Sequence, residues 1–184
     1  PVGTDKDGNL IAGFYAGRTH DIIPNTDCHL GRKCNQVILE TVLSWMKEHG
    51  ISAYDETECR GLVRHVLIRE GFQTGEIMVC LVVNAAADSG VADSLVESLR
   101  EIPEVGENIV SICINYNNEN TNVILGSESK VLFGRGYITD TISGIAFRIS
   151  PLSFYQVNPV QTEKLYATAL AYAELTGEET VWDL

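Results

Sequence analysis

Two periodicities divide the chain. Between about Asn35 and His49, apolar residues recur at Val37, Ile38, Val42, Trp45 and Met46, with Thr41 on the same side. That is the spacing of a helix laid on a core, and Gly50 closes it. A second helical stretch runs near Val91 to Arg100 after Asp88-Ser89-Gly90, with Val91, Leu95, Val96 and Leu99 on its buried side. Elsewhere the apolar residues come in short runs bounded by turn residues, which predicts strands. These are Leu10 to Ala16 after the Asp7-Gly8 turn, Leu62 to Arg69, Ile77 to Val83, Asn108 to Asn115, Val131 to Ile138 and Ala146 to Ile149. Glu70 to Gly75 joins two of them as a hairpin. Ile22 to Cys28 and the polar Asn117 to Asn122 read as loops, and Asp140 to Gly144 as a turn.

The first six elements run β-α-β-β-α-β, the order of a ferredoxin-like split βαβ unit. The expected fold class is therefore α+β: a ferredoxin-like central domain with extra strands over residues 1–150, then a linker and helix over residues 151–184. Asn158 can cap that helix, Pro159 suits its first position and Gly177 ends it. Leu165, Ala169 and Tyr172 share one face. Thr180 to Leu184 then reads as the start of a strand. A helix feeding an apolar strand that ends in Asp-Leu is the opening pattern of a Rossmann-like domain, whose next residues form a glycine-rich turn.

Composition narrows the class. Hydrophobic residues at 45% and charged residues at 21% are globular values, and no apolar run reaches the ~20 residues of a membrane helix. Pro1 stands where an initiator Met would, with no signal-peptide pattern, so it reads as an internal boundary and a cytoplasmic location is expected. The net charge of −12 counts against a chain-wide phosphate-binding surface. Arg60, Arg64 and Arg69 nevertheless cluster around His65, leaving room for a local basic stripe on an acidic body. Five cysteines (28, 34, 59, 80 and 113) make an odd number with no Cys-x-x-Cys pair, which disfavours a disulfide framework or a self-contained metal site. Cys80 and Cys113 read as small core residues.

Several motifs together resemble one family. They are Phe154-Tyr155-Gln156-Val157-Asn158-Pro159, Lys164-Leu165-Tyr166 and Gly177 to Leu184, preceded by Gly13-Phe14-Tyr15 through His20-Asp21-Ile22 to Cys28, and by Gly61 to Arg69 with Thr74-Gly75-Glu76. This series is similar to the RNA uracil-5-methyltransferases of the RumA/TrmA type, which use S-adenosylmethionine, and lies closer to the ribosomal RNA branch. The resemblance implies a parent that methylates C5 of a uridine in 23S rRNA. It also implies a catalytic cysteine and base beyond residue 184, so this stretch presents RNA and is inactive alone. It makes Gln156 a contact to the methyl donor. It makes Cys28 a candidate ligand of a 4Fe-4S cluster, whose other three ligands in the family lie upstream of a position equivalent to Pro1.

The residues themselves leave alternatives open. Gln156 is also an ordinary amide near a helix start. Phe154 and Tyr155 can pack a domain junction or stack an unpaired base; alternation puts Phe154 and Gln156 on one side, and Phe154 is the candidate RNA contact. Arg64 and His65 are either a salt-bridged and half-buried strand pair or a phosphate and base contact, which Arg18 and His20 would join if the first strand lies nearby. Two other functions stay open: a non-catalytic module that docks a protein on its acidic surface, and a methyltransferase of this architecture with another substrate.

Overall fold

The computed structural model describes residues 1–84 and 92–182. Val91, the expected start of the second helix, and Asp183 and Leu184 lie outside them. The described residues form three helices and three sheets: a mixed α/β arrangement.

Its centre is a four-stranded sheet, β4 (Val63–Glu70), β5 (Ile77–Val83), β6 (Ile109–Tyr116) and β7 (Glu128–Gly134), in that spatial order. β4 and β5 form the expected antiparallel hairpin, β5 and β6 are parallel, and β7 returns antiparallel to β6. Every residue of β5 is buried. Its unbroken apolar run reflects cover on both faces. Ile77, Val79, Leu81 and Val83 enter the larger core beneath α1 (Cys34–Glu48) and α2 (Ala92–Arg100), whereas Met78 and Cys80 enter a second core on the opposite face. Helix α1 buries Ile38, Val42, Trp45 and Met46 as its periodicity requires, and α2 buries Leu95 and Leu99. Trp45 Nε1–H donates to Ser94 Oγ at 3.0 Å, tying the two helices together.

The second core is capped by the hairpin β8 (Ile138–Ile142) and β9 (Ile145–Ile149), through Ile138 and Ile149. Cys80 and Cys113 are core residues there, and burial pushes the Cys80 thiol up to about 12. The run expected as one strand from Val131 to Ile138 is two. Gly134 (φ +76°) ends β7 against the carbonyl of Val110, where any Cβ would collide, and the chain turns before β8.

The ferredoxin-like order is corrected by the sheet topology. In that fold the first strand lies between the third and the last. Here β2 (Leu10–Tyr15) pairs with β1 (Val2–Thr4) on one edge and β3 (Ile22–Pro24) on the other. With both edges already hydrogen-bonded, β2 cannot enter the central sheet, and β5 and β6 pair directly. The small three-stranded sheet instead reaches the main core through Val2 and Ala12. β3 falls within the expected loop of Ile22 to Cys28, and β1 lies where no element is expected, because three-residue strands carry no pattern of their own.

α3 (Pro159–Ala173) starts as expected, with Asn158 Oδ1 accepting from the Gln161 N–H at 3.1 Å and Pro159 in the first turn. It ends before Gly177, at Glu174 in the left-handed conformation (φ +46°). The expected face of Leu165 and Tyr172 is exposed, and Thr162 alone of the helix is buried. Thr180 to Trp182 carry no strand. No helix among the described residues is long and apolar enough to cross a membrane.

Candidate functional site

Two regions carry the sequence candidates. The first is the linker after β9. Arg69, on β4, donates from Nη2 to the carbonyls of Pro151 (3.1 Å) and Ser153 (2.7 Å). Tyr155 turns its ring into the second core, 6.1 Å from Phe147, and its hydroxyl donates to Asp140 Oδ2 at 3.2 Å. Burial and the Asp140 charge push that phenol up to about 12. Asp140 is fully buried and also accepts the backbone N–H groups of Phe72 and Gln73, each at 2.9 Å. One carboxylate thus ties together the β4–β5 turn, the β8–β9 hairpin and the linker.

Phe154 stands between these anchors with 86% of its surface exposed. An extended segment alternates sides, so seating Tyr155 in the core projects Phe154 outward. Gln156 is half-buried, and its amide makes no hydrogen bond to any described residue. It offers a donor pair and an acceptor with neither engaged.

The second region is a cavity of about 300 Å³ where the β2–β3 hairpin meets β4. Tyr15, His20, Glu56, Arg64, His65 and Asn122 are among its walls. The Tyr15 ring meets His20 edge-on at 5.8 Å and His65 at 6.3 Å. This juxtaposition joins residues about fifty positions apart. Arg18 occupies the β2–β3 turn in the left-handed conformation (φ +65°), exposed, just before His20.

Arg64 is not the free phosphate fork that the sequence allows. Its side chain is 1% exposed, and Nη1 donates to the carbonyls of Asn117 (3.0 Å) and Glu119 (2.8 Å). Nη2 reaches both Glu56 oxygens at 3.3–3.4 Å, and the Tyr54 ring covers the guanidinium at 4.4 Å. Its Nε is buried without an acceptor. His65 is 7% exposed, and its pKa drops to about 3 through burial, with the positive Arg64 adding to the effect. It is a neutral ring at physiological pH. The Tyr15 phenol rises to about 12 by burial and by the Glu56 charge, so it stays a donor.

Cys28 is half-buried beside Phe14, Asn25 and Asn35. No group of three or more His, Cys, Asp or Glu among the described residues is placed to hold a metal ion. One thiol does not fit a cluster that needs four, so these residues alone do not form an iron–sulfur site. The sequence alone puts Arg69 in a basic stripe and Asp140 in a turn, and does not reveal that both anchor the linker. Their signal was weak: an arginine inside an apolar strand and an aspartate in an apparent turn.

No family model matches the chain. Its whole length is 44% identical to an uncharacterized RNA methyltransferase of Staphylococcus epidermidis and 46% identical to one of Halalkalibacterium halodurans. It spans 39% of the length of each of those relatives. Its fold matches, over 92% of the chain and with a TM-score of 0.68 at 21% identity, part of the crystal structure of Pyrococcus abyssi tRNA (uracil-54, C5)-methyltransferase in complex with S-adenosyl-L-homocysteine; the match covers 39% of that protein. Over its whole length the chain is similar to these RNA methyltransferases and in fold to part of the solved structure, and the RumA/TrmA-type resemblance carried by its own motifs agrees with both likenesses.

Proposed function

We propose that this chain is the RNA-presenting part of an enzyme that transfers a methyl group from S-adenosylmethionine to C5 of a uridine in 23S rRNA. The observation that carries the reading is the linker. Arg69 and Asp140 clamp it on either side of an outward-facing Phe154, followed by an uncommitted Gln156. A ring held this way can stack on an extruded base without paying to be ordered. Gln156 is the residue of this chain that would hold the methyl donor, whose polar groups suit an amide with open donor and acceptor.

The chemistry explains the need for further residues. C5 of uracil is a weak nucleophile until a thiolate adds to C6, and a base must then remove the C5 proton. Two of the buried thiols, Cys34 and Cys80, are pushed up to about 12 by burial, far from thiolates at neutral pH. On the family resemblance the catalytic cysteine and base lie beyond residue 184, and this reading makes the 184-residue chain inactive alone. Arg18, exposed on its turn, supplies a phosphate contact; Arg64 and His65 act as walls of the neighbouring cavity. Cys28 would contribute to an iron–sulfur cluster only with ligands from outside this chain, and no step depends on one.

The test incubates the whole parent protein with S-adenosylmethionine and unmodified 23S rRNA, with a tRNA transcript alongside, and reads 5-methyluridine by mass spectrometry of the digested nucleosides. The product is expected in 23S rRNA. Gln156→Ala should raise the KM for the methyl donor about tenfold through one lost polar contact. Phe154→Ala should lower kcat/KM for RNA about 10- to 100-fold, the value of one stacked base. Product in tRNA alone would replace the rRNA assignment; none in either, with the methyl donor bound, would overturn the substrate class.

A further inference from the structure

The cavity beneath the β2–β3 hairpin has features that packing alone does not explain. At about 300 Å³ it lies at the lower end of small-ligand sites, large enough for one ring system. Its walls supply aromatic edges from Tyr15, His20 and His65. Its polar groups are under-used. Glu56 receives Tyr15 and Arg64 only through contacts of 3.3–3.4 Å, at the long end for hydrogen bonds. The Glu56 side chain keeps 17% of its surface exposed, so its carboxylate has lone pairs open to the cavity.

We propose that this cavity binds one unpaired guanine base of the RNA, separate from the base presented to Phe154. The proposal rests on the RNA reading above. An ionised carboxylate only accepts, and guanine is the base whose Watson–Crick edge sets two donors side by side, N1–H and N2–H₂, opposite it. Adenine and cytosine place an acceptor beside their donor, against one carboxylate oxygen. Uracil offers a single N–H between two carbonyls. Sequence-specific RNA recognition works in this manner, on single-stranded bases with stacking side chains around them. Arg18 on the adjoining turn meets the phosphate, which offsets the repulsion of an acidic surface.

The experiment titrates the 184-residue chain with the pentanucleotides UUGUU, UUAUU and UUUUU, following amide NMR shifts and affinity. UUGUU is expected to bind about tenfold tighter than the others, the value of a good bidentate contact. The shifts should fall at His20, Thr121 and Asn122. Glu56→Gln should bring the ratio to about one while the spectrum stays dispersed. His20→Ala, at an exposed position, should weaken UUGUU several-fold and guards against a Glu56 variant that fails to fold. Equal binding of all three, tightest binding of UUUUU, an unchanged preference in Glu56→Gln, or shifts away from the cavity would each overturn the proposal. Methylation without guanine preference refutes this inference alone. Guanine preference without methylation by the parent refutes the function alone.

Discussion

Asp140→Ala should destabilise the protein by about 3–5 kcal/mol, because two backbone N–H groups and a phenol lose a charged acceptor at once. Asp140 is fully buried, and the N–H groups of Phe72 and Gln73 would have no acceptor in its place. Unpaired buried donors pay their full desolvation cost, whereas the net gain from a satisfied bond is small. In thermal unfolding the loss corresponds to about 10 °C for a chain of this size. Asp140→Asn keeps one acceptor oxygen and should lose roughly half as much. The functional consequence is separable. The same carboxylate seats Tyr155, so releasing it frees the linker that projects Phe154. In Asp140→Asn, RNA affinity should fall more than methyl-donor affinity. A loss of stability below about 1 kcal/mol would show that the hairpin and linker are held by apolar packing instead.

The second large effect is a dependence on pH that belongs to His65. In the folded chain its pKa is about 3, because burial disfavours the imidazolium and Arg64 repels it. In the unfolded chain it returns to about 6.5. Between these values the unfolded state binds the extra proton, so stability rises with pH and is lost as pH falls from about 6.5 toward 3. The maximum slope is about 1.4 kcal/mol per pH unit, giving a loss of about 2 kcal/mol between pH 6.5 and 5. Urea unfolding at half-unit steps checks this. His65→Gln, which cannot take up the proton, should be flatter than the parent chain across that window. Parallel curves for the two proteins would sink the assignment. Below about pH 4.5 the carboxylates of Glu70 and Glu76 add their own loss, since their ion pairs with Arg32 and Arg135 hold their pKa values down. The window above pH 5 is therefore the one that reports on His65.

The hairpin of β4 and β5 was readable because its physics is local. A seven-residue apolar run from Ile77 to Val83, just after the Thr74-Gly75 turn and rich in β-branched residues, suits a strand, and β5 is one, buried along its whole length. Helix α1 was equally legible, since a three-and-four spacing suits one geometry and Gly50 stops it. The alternation that set Phe154 apart from Tyr155 is likewise a property of extended backbone. What escaped were features whose stabilising partner is distant. β1 and β3 exist only because β2 lies between them, and that pairing is also what removed β2 from the expected ferredoxin-like order. Gly134 ends a strand because the carbonyl of Val110 lies against it, which no local pattern announces.

The candidate site divides along the same line. Residue order alone supplied the chemistry: an aromatic beside an amide at a helix cap, an arginine and a histidine on one strand, and a thiol among too few ligands. Folding decided which of these groups are still available. Arg64 commits Nη1 to the carbonyls of Asn117 and Glu119 and Nη2 to Glu56, whereas Phe154 and Gln156 stay open because Arg69 holds the backbone before them and Asp140 holds the Tyr155 hydroxyl between them. The cavity of Tyr15, His20 and His65 is wholly a tertiary product, made where a hairpin docks on a strand fifty residues away. Side-chain chemistry and local periodicity are written residue by residue. Burial, pairing and the commitment of a donor to an acceptor depend on what the rest of the chain brings alongside.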